Sequence, residues 1–356
     1  MTAEAMRASA PTLHDVARVA GVSLATASRV LNGSERKVAD SYRARVELAA
    51  AELGYTPNIS AQAIARGTSQ VIALLVADIA DPYFGLIASG VARGADEEGL
   101  VVTVAITERE PRREARILHA LRGQRPRGVI LAASRTSEGD NEAGVADDVA
   151  GDGNDDGVGV AGELAAFQAL GSRTVTFGPG GDRSIRIDNR GGAEELGRAM
   201  SALGYRRAIA IGAAEGVRTS DDRLAGFTAG FATGGGEVVR VYRGAFQRES
   251  GAAVMADALK EGVEEGTLVF ALSDVVAIGA MTAIRDAGRT VGTDIAVCGF
   301  DDVPVSRDVS PQLTTVRVPL SELGYQAFRA TVDADWIQPA LDLEVLVRDS
   351  TPVAGR

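Results

Sequence analysis

The feature that most constrains this chain is a change of hydrophobic period near residue 67. Before it, apolar residues recur only at helical spacing: Leu13, Val16, Ala17 and Ala20, then Ala27, Val30 and Leu31, then Val46, Ala49, Ala50 and Leu53. After it, short aliphatic runs alternate with amphipathic helical stretches: VIALLVAD (71–78), LVVTVAI (100–106), GVILAA (128–133), RTVTF (173–177), AIAIG (208–212), TLVFAL (267–272) and DIAVCGF (294–300). Strand, helix, strand repetition at this spacing requires parallel sheets covered by helices on both faces. A chain of 356 residues exceeds one ordinary core. The expected architecture is therefore an all-α head of three short helices followed by an α/β part whose length fits two such sheets. The Gly-, Asp- and Ala-rich stretch 137–162 breaks the βα rhythm and reads as a surface insertion.

Charge is divided along this boundary. The net charge is −11, yet residues 1–67 hold eight Arg and Lys against six Asp and Glu, a net +2, which leaves −13 on the remainder. A mildly basic head in front of an acidic body suits a protein whose head alone meets phosphates. Nothing before Pro11 is patterned, so residues 1–11 read as a disordered tail. MTAEAMRASA has no apolar secretory core, Cys298 is the single cysteine, and no apolar run approaches the roughly twenty residues of a membrane span. These point to a cytoplasmic protein without disulfides or membrane partners. The tail DSTPVAGR carries no heptads for a coiled coil.

In TLHDVARVAGVSLATASRVLNG, Thr12 is placed to cap one helix, Gly21 to turn the chain, Ser23 to cap a second helix and Gly33 to end it. Burying Leu13, Val16 and Ala17 against Ala27, Val30 and Leu31 leaves Leu24, Ala25, Ser28, Arg29 and Asn32 on the outer face. Such a face fits a major groove. Thr12, Ser23, Thr26, Ser28 and Asn32 can bond phosphates, Arg29 can donate bidentately to a guanine edge, and Leu24 and Ala25 can meet thymine methyls. Spacing alone equally admits a small helical bundle with a polar surface.

The residues themselves resemble the LacI/GalR family, whose signature TLxDVAxxAGVSxxTVSRVLN is met at nearly every position. AELGYTPNISAQAIARG is similar to that family's third helix and hinge, and the resemblance continues to Arg348. It implies an all-α helix-turn-helix headpiece at 12–57, a hinge helix and linker at 58–69, and at 70–350 an α/β core of two doubly wound lobes like the periplasmic sugar-binding proteins. The lobes would comprise about 70–178 with 318–336, and about 179–313 with 341–350. It implies a hinge that folds on operator DNA and pairs with its dimer mate in the minor groove, with Asn58 among the DNA-binding residues and Ile64 as the wedge between base pairs. Three residues depart from the pattern: Ile64 for the usual Leu, Ala27 for Val, and Ala39 for a capping Ser, a role that Asp40 or Ser41 would take over.

For the core the resemblance implies an effector in the cleft between lobes. Asp81, Tyr83 and Phe84 follow the first strand, where open α/β sheets bind ligands. Arg223 in DDRLAGF matches an effector-clamping arginine, Asp301 in GFDD an acceptor for ligand hydroxyls, and Phe246 an aromatic that packs on the ligand ring. An Arg donor beside an Asp acceptor suits vicinal hydroxyls. Ser273 stands where Asn is common, which shortens the reach toward a simple hexose.

The implied function is a homodimeric repressor of a palindromic operator, controlled by a sugar or sugar derivative. A regulator answering to a non-sugar metabolite or a protein partner stays open at Ser273 and the insertion. The core alone would also admit a solute-binding protein, against which the head and the absent export signal count. Asp152, Asn154, Asp156, Gly157 and Glu163 satisfy the calcium-loop pattern, but NEAGVADDVAG before it is a poor helix former and Gly159 replaces the usual aliphatic residue. No metal or cofactor is expected. With His14 and His119 as the only histidines and no G-x-S-x-G, no enzyme is expected either.

Overall fold

The computed structural model describes residues 11–31, 38–56, 69–132 and 159–355. Asn32, Gly33, Asn58, Ile64 and most of the 137–162 insertion, including Asp152, Asn154, Asp156 and Gly157, lie outside the described residues. Two units emerge, Met1–Gln70 and Val71–Arg356.

The first unit is built from α1 (Leu13–Ala20), α2 (Leu24–Leu31) and α3 (Asp40–Leu53). Thr12 caps α1 reciprocally: its Oγ1 accepts from the Asp15 backbone N–H, while its own N–H donates to Asp15 Oδ2 at 3.0 Å. The hydroxyl and backbone N–H of Thr12, with Arg18 beyond, hold the Asp15 carboxyl down at about 2. Gly21 turns the chain at φ 62°, and the Ser23 hydroxyl accepts from the Thr26 N–H at 3.1 Å. The core is small and alanine-rich: Val16, Ala17, Ala20, Ala27, Val46, Ala49 and Ala50 are buried, with Leu13, Val30 and Leu31 packed partly against them. One expectation fails: neither Asp40 nor Ser41 caps α3, whose N-cap is Ala39 with no side-chain hydrogen bond. Arg45 of α3 instead ties the turn, donating to the Gly21 carbonyl at 3.0 Å.

The second unit holds two parallel sheets. In the first, β1 (Val71–Val76), β2 (Val101–Ile106), β3 (Gly128–Ala132), β4 (Arg173–Phe177) and β5 (Arg183–Ile185) lie in the order β2-β1-β3-β4-β5. Side chains of β1 alternate between faces. Ile72, Leu74 and Val76 join Phe84, Ile87 and Val91 of α4 (Pro82–Glu97), whereas Ala73 and Leu75 join Leu118 and Leu121 of α5 (Pro111–Arg122) and Leu164 and Phe167 of α6 (Val160–Ala169). A strand buried on both faces has to be continuously apolar, as VIALLV is. Glu163, the last residue of the calcium-loop pattern, is buried on α6 with its carboxylate facing His119 and Arg122.

The chain passes α7 (Asn189–Ala202) into a second sheet of β6 (Arg207–Ala213), β7 (Glu237–Gly244), β8 (Thr267–Ala271) and β9 (Ile295–Cys298), ordered β7-β6-β8-β9. Helices α8 (Arg218–Ala232), α9 (Arg248–Glu261) and α10 (Asp274–Asp286) cover it. The two sheets repeat one topology, with a switch point between β1 and β3 in one and β6 and β8 in the other. Because β5 pairs with β4, the first lobe extends to Ile185, past the 178/179 boundary expected from sequence. After a short α11 (Val305–Asp308), the antiparallel pair β10 (Thr315–Arg317) and β11 (Glu344–Leu346) flanks α12 (Leu320–Val332), which returns to pack on α4. Asp302 anchors these crossings, accepting from Arg307, Arg317 and Arg348. Burial alone would raise its carboxyl; the three arginines bring it to about 2.

Three helix pairs meet backbone to backbone at glycines. In α7 and α8, a Cβ on Gly226 would lie 2.1 Å from the Arg190 carbonyl oxygen, and one on Gly230 would lie 1.9 Å from that of Glu194. Gly90 and Gly324 do the same for α4 and α12, and Gly251 and Gly279 for α9 and α10. A methyl group there must push two main chains apart, so Gly226→Ala should destabilise the core by about 1–3 kcal/mol or more. Urea unfolding of the two proteins checks this; an unchanged midpoint would mean that the helices separate freely.

Candidate functional site

On the head, Leu24, Ala25 and Arg29 are exposed along one side of α2, opposite buried Ala27. The hydroxyls of Thr12, Ser23 and Thr26 first serve their helix ends: Ser23 and Thr26 are 2.8 Å apart, and Thr12 donates to Asp15 Oδ2 at 2.7 Å. Ser28 is half-buried. An exposed arginine between small apolar residues on a convex helix is the arrangement that enters a major groove.

In the core, the carboxyl ends of the strands in both sheets converge on a cleft. Arg223 is its most buried cation, 1% exposed. Its Nε donates to Asn189 Oδ1, its Nη1 to the Leu272 carbonyl and its Nη2 to Asp301 Oδ1, each at 2.8 Å, and the guanidinium lies 3.9 Å from the centroid of the Phe300 ring. Three segments thereby meet on one side chain: the start of α7, the end of β8 and the loop after β9. The Gly226 contact sets this geometry, because it fixes α8 one turn beyond Arg223 against the first turn of α7. Asp301 holds a backbone φ of 114°, a strained value for a residue with a side chain, and its Oδ2 has no hydrogen-bond partner among the described residues. Ser273, at the end of β8, is 3% exposed with an unpartnered hydroxyl. Asp274 beside it accepts from Thr315 and the Val303 N–H, and burial raises its carboxyl well above the usual range.

The opposite wall comes from the first lobe. Asp81 caps α4 by accepting from the Tyr83 N–H at 3.0 Å; burial raises its carboxyl. Tyr83 and Phe84 meet edge to face with centroids 5.0 Å apart. They line a cavity of about 370 Å³, counting its open mouth, with Ala132, Phe177, Ile185 and Ile187, and with Asn189 and Thr219 on the far side. Of the residues singled out from sequence, Tyr83 and Phe84 line this cavity directly, while Arg223 and Asp301 stand behind Asn189. Phe246 lies toward the rim, where the Arg109 guanidinium is 5.0 Å from its ring centroid and 5.7 Å from that of Phe84.

With this geometry in hand, comparison with known proteins is decisive. A model of the bacterial regulatory proteins of the lacI family matches residues 12–58, and one of a periplasmic binding protein-like domain matches residues 198–347. The transcriptional regulator GalR of Escherichia coli (strain K12) is 31% identical over 322 residues, covering 89% of this chain and 87% of that protein. The chain belongs to the LacI/GalR family. It is a DNA-binding transcriptional regulator, with the family's helix-turn-helix and its periplasmic-binding-protein-like core. Among solved structures, the lac repressor dimer bound to operator and an anti-inducer superimposes with a TM-score of 0.77 at 26% identity, over 96% of this chain and 99% of that one. The complex of the regulator CelR with cellobiose gives 0.64 at 28%, with coverage of 96% and 99%. The described residues include no helix long and apolar enough to cross a membrane.

The family pattern pointed to Arg223, Asp301, Tyr83 and Phe84, but not to Asn189 or Arg109. Asn189 carried a weak signal, as a polar residue following Asp188 at a helix start; Arg109 carried none.

Asp301 provides a test of the cleft's electrostatics. Burial raises its carboxyl to about 6 against the pull of Arg223. A carboxyl raised above its unfolded value favours folding while protonated, so its contribution is present below about 4 and is lost as pH rises through about 6. Relative to Asp301→Asn, the wild-type protein should lose on the order of 3 kcal/mol of stability between pH 4 and 7. Denaturant melts across that range check it; a wild-type gain instead would mean that pairing with Arg223 outweighs burial.

Proposed function

We propose that this LacI/GalR regulator is a homodimeric cytoplasmic repressor of a palindromic operator, released or held by a sugar or sugar derivative in the core cleft. Residues 12–57 act as the reader, 58–69 as hinge and linker, and 70–350 as the effector core. The observation that carries the effector reading is the buried Arg223–Asp301 pair at the back of an aromatic-lined cavity. A donor already oriented by Asn189, a carboxylate oxygen left open and the idle Ser273 hydroxyl together form a surface for a polyhydroxylated ring. The cellobiose complex of CelR and the operator-bound lac repressor dimer support the same reading. An effector that binds one lobe arrangement better than the other shifts the population and, through the hinge, DNA affinity.

On the DNA side, Thr12, Ser23, Thr26, Ser28 and Asn32 hold phosphates, Leu24, Ala25 and Arg29 read bases, and Asn58 and Ile64 engage the minor groove. Arg29→Ala should weaken specific operator binding by about 1–3 kcal/mol and relax one operator position. Gel-shift selection on randomised operators reads both effects; equal loss on all sequences would reduce Arg29 to a phosphate contact.

Because Arg223 is buried and triply bonded, the conservative Arg223→Lys is the informative cleft variant; Ala would strand Asp301. A thermal-shift screen with sugars, nucleobases and phosphorylated metabolites should give at least one stabilising compound whose effect falls tenfold or more in Arg223→Lys. A compound acting equally on both proteins binds elsewhere and refutes the cleft assignment.

A further inference from the structure

Arg109 is a half-buried cation with no direct carboxylate partner among the described residues. Arg223 has three of its five N–H donors bonded and Asp301 at 2.8 Å. Arg109 makes no hydrogen bond or ion pair among the described residues, and its Nε is buried without a partner. It is not solvated like a surface arginine: its guanidinium is held between Phe84 of the first lobe and Phe246 of the second. Desolvating a charge is unfavourable unless an opposite charge or hydrogen-bond acceptor replaces the water.

Asp81 and Asp78 act on the Arg109 charge from a distance, but neither reaches a hydrogen bond or ion pair with it. Asp78 accepts from the Ala80 N–H, Asp81 caps α4, and Glu108 pairs with Arg113 at 2.8 Å. The backbone is strained toward this arrangement. Glu108 and Arg109 sit at φ 56° and 60°, two successive left-handed residues with side chains, in the loop after β2. Such strain persists where the surroundings impose it and gathers at ligand sites. The second such pair, Asp301 and Asp302 after β9, aims Asp301 into the same cleft. Arg109 reaches the same cavity through Phe84, which lines it together with Asn189, the partner of Arg223.

We propose that Arg109 is a specificity-determining residue for an acidic effector, a polyol bearing a carboxylate or phosphate, whose hydroxyls meet Asp301 and Asn189 and whose anionic group takes the guanidinium between Phe84 and Phe246. A planar guanidinium presents paired donors to either oxyanion, and the flanking rings exclude water from the contact. This inference rests on the cleft reading above and narrows its effector class.

The test is calorimetric titration of the full-length protein with matched probes: glucose, glucuronate, gluconate, glucose 6-phosphate and inorganic phosphate. At least one acidic probe should bind tenfold or more tighter than glucose, and the carboxylate and phosphate arms separate the two oxyanions. Arg109→Gln should abolish that preference, its acidic probes losing tenfold or more relative to glucose measured on the same variant, and Arg109→Lys should fall between. Arg223→Lys should weaken acidic and neutral probes alike. If glucose binds as tightly as its acids, or if Arg109→Gln leaves the preference intact, the acidic-effector proposal is wrong and the sugar-cleft reading survives. If no probe binds, or if binding ignores Arg223→Lys, both are overturned.

Discussion

A guanidinium ion out of reach of water organises the second lobe. Arg223 can be buried only because three acceptors from three chain segments surround it, and each acceptor is fixed by a different part of the fold. Asn189 is placed by the backbone contact of α7 with α8, the Leu272 carbonyl by the end of β8, and Asp301 by a strained turn after β9. Breaking such a pair from one side typically costs about 3–5 kcal/mol. The clamp and the lobe core are thus coupled, and the polar wall of the cleft is as rigid as the sheet behind it.

The opposite wall is held differently. Tyr83 and Phe84 sit in the first turn of α4 and Arg109 on the β2–α5 connection, and their mutual contacts are a ring edge and a cation beside a ring, not a closed hydrogen-bond set. A site with one fixed wall and one adaptable wall can gain affinity as the lobes approach, which is the differential interaction a ligand needs to shift a conformational equilibrium.

The elements most legible in the sequence were those governed by local rules. Thr12 with Asp15, Gly21 and Ser23 behave as their spacing requires, and every continuous aliphatic run became a strand, buried except at β2 on the sheet edge, where Val101 and Val104 are exposed. β7 escaped because EVVRVYRG is an edge strand whose Val and Arg residues are half in water, so no continuous run marks it. β5 is three residues long and moved the lobe boundary to Ile185. α3 begins after Ala39 without a side-chain cap, and its tie to the rest of the head is tertiary, through Arg45 and the Gly21 carbonyl. Asn189 and Arg109 could not be read in advance, since one is defined by how two helices touch and the other by a left-handed backbone that many non-glycine loops avoid.

The crossings between lobes carry a consequence for the order in which the molecule can be assembled. α12 completes the first lobe, filling the groove beside α4 through Gly324, yet it is encoded after the entire second sheet. During synthesis the first lobe must therefore wait, with the facing sides of α4, β3 and β4 uncovered, until residues 320–332 emerge. The lobe that begins the core is the last to be finished, and its unfinished surface is where a nascent chain of this topology most needs a chaperone.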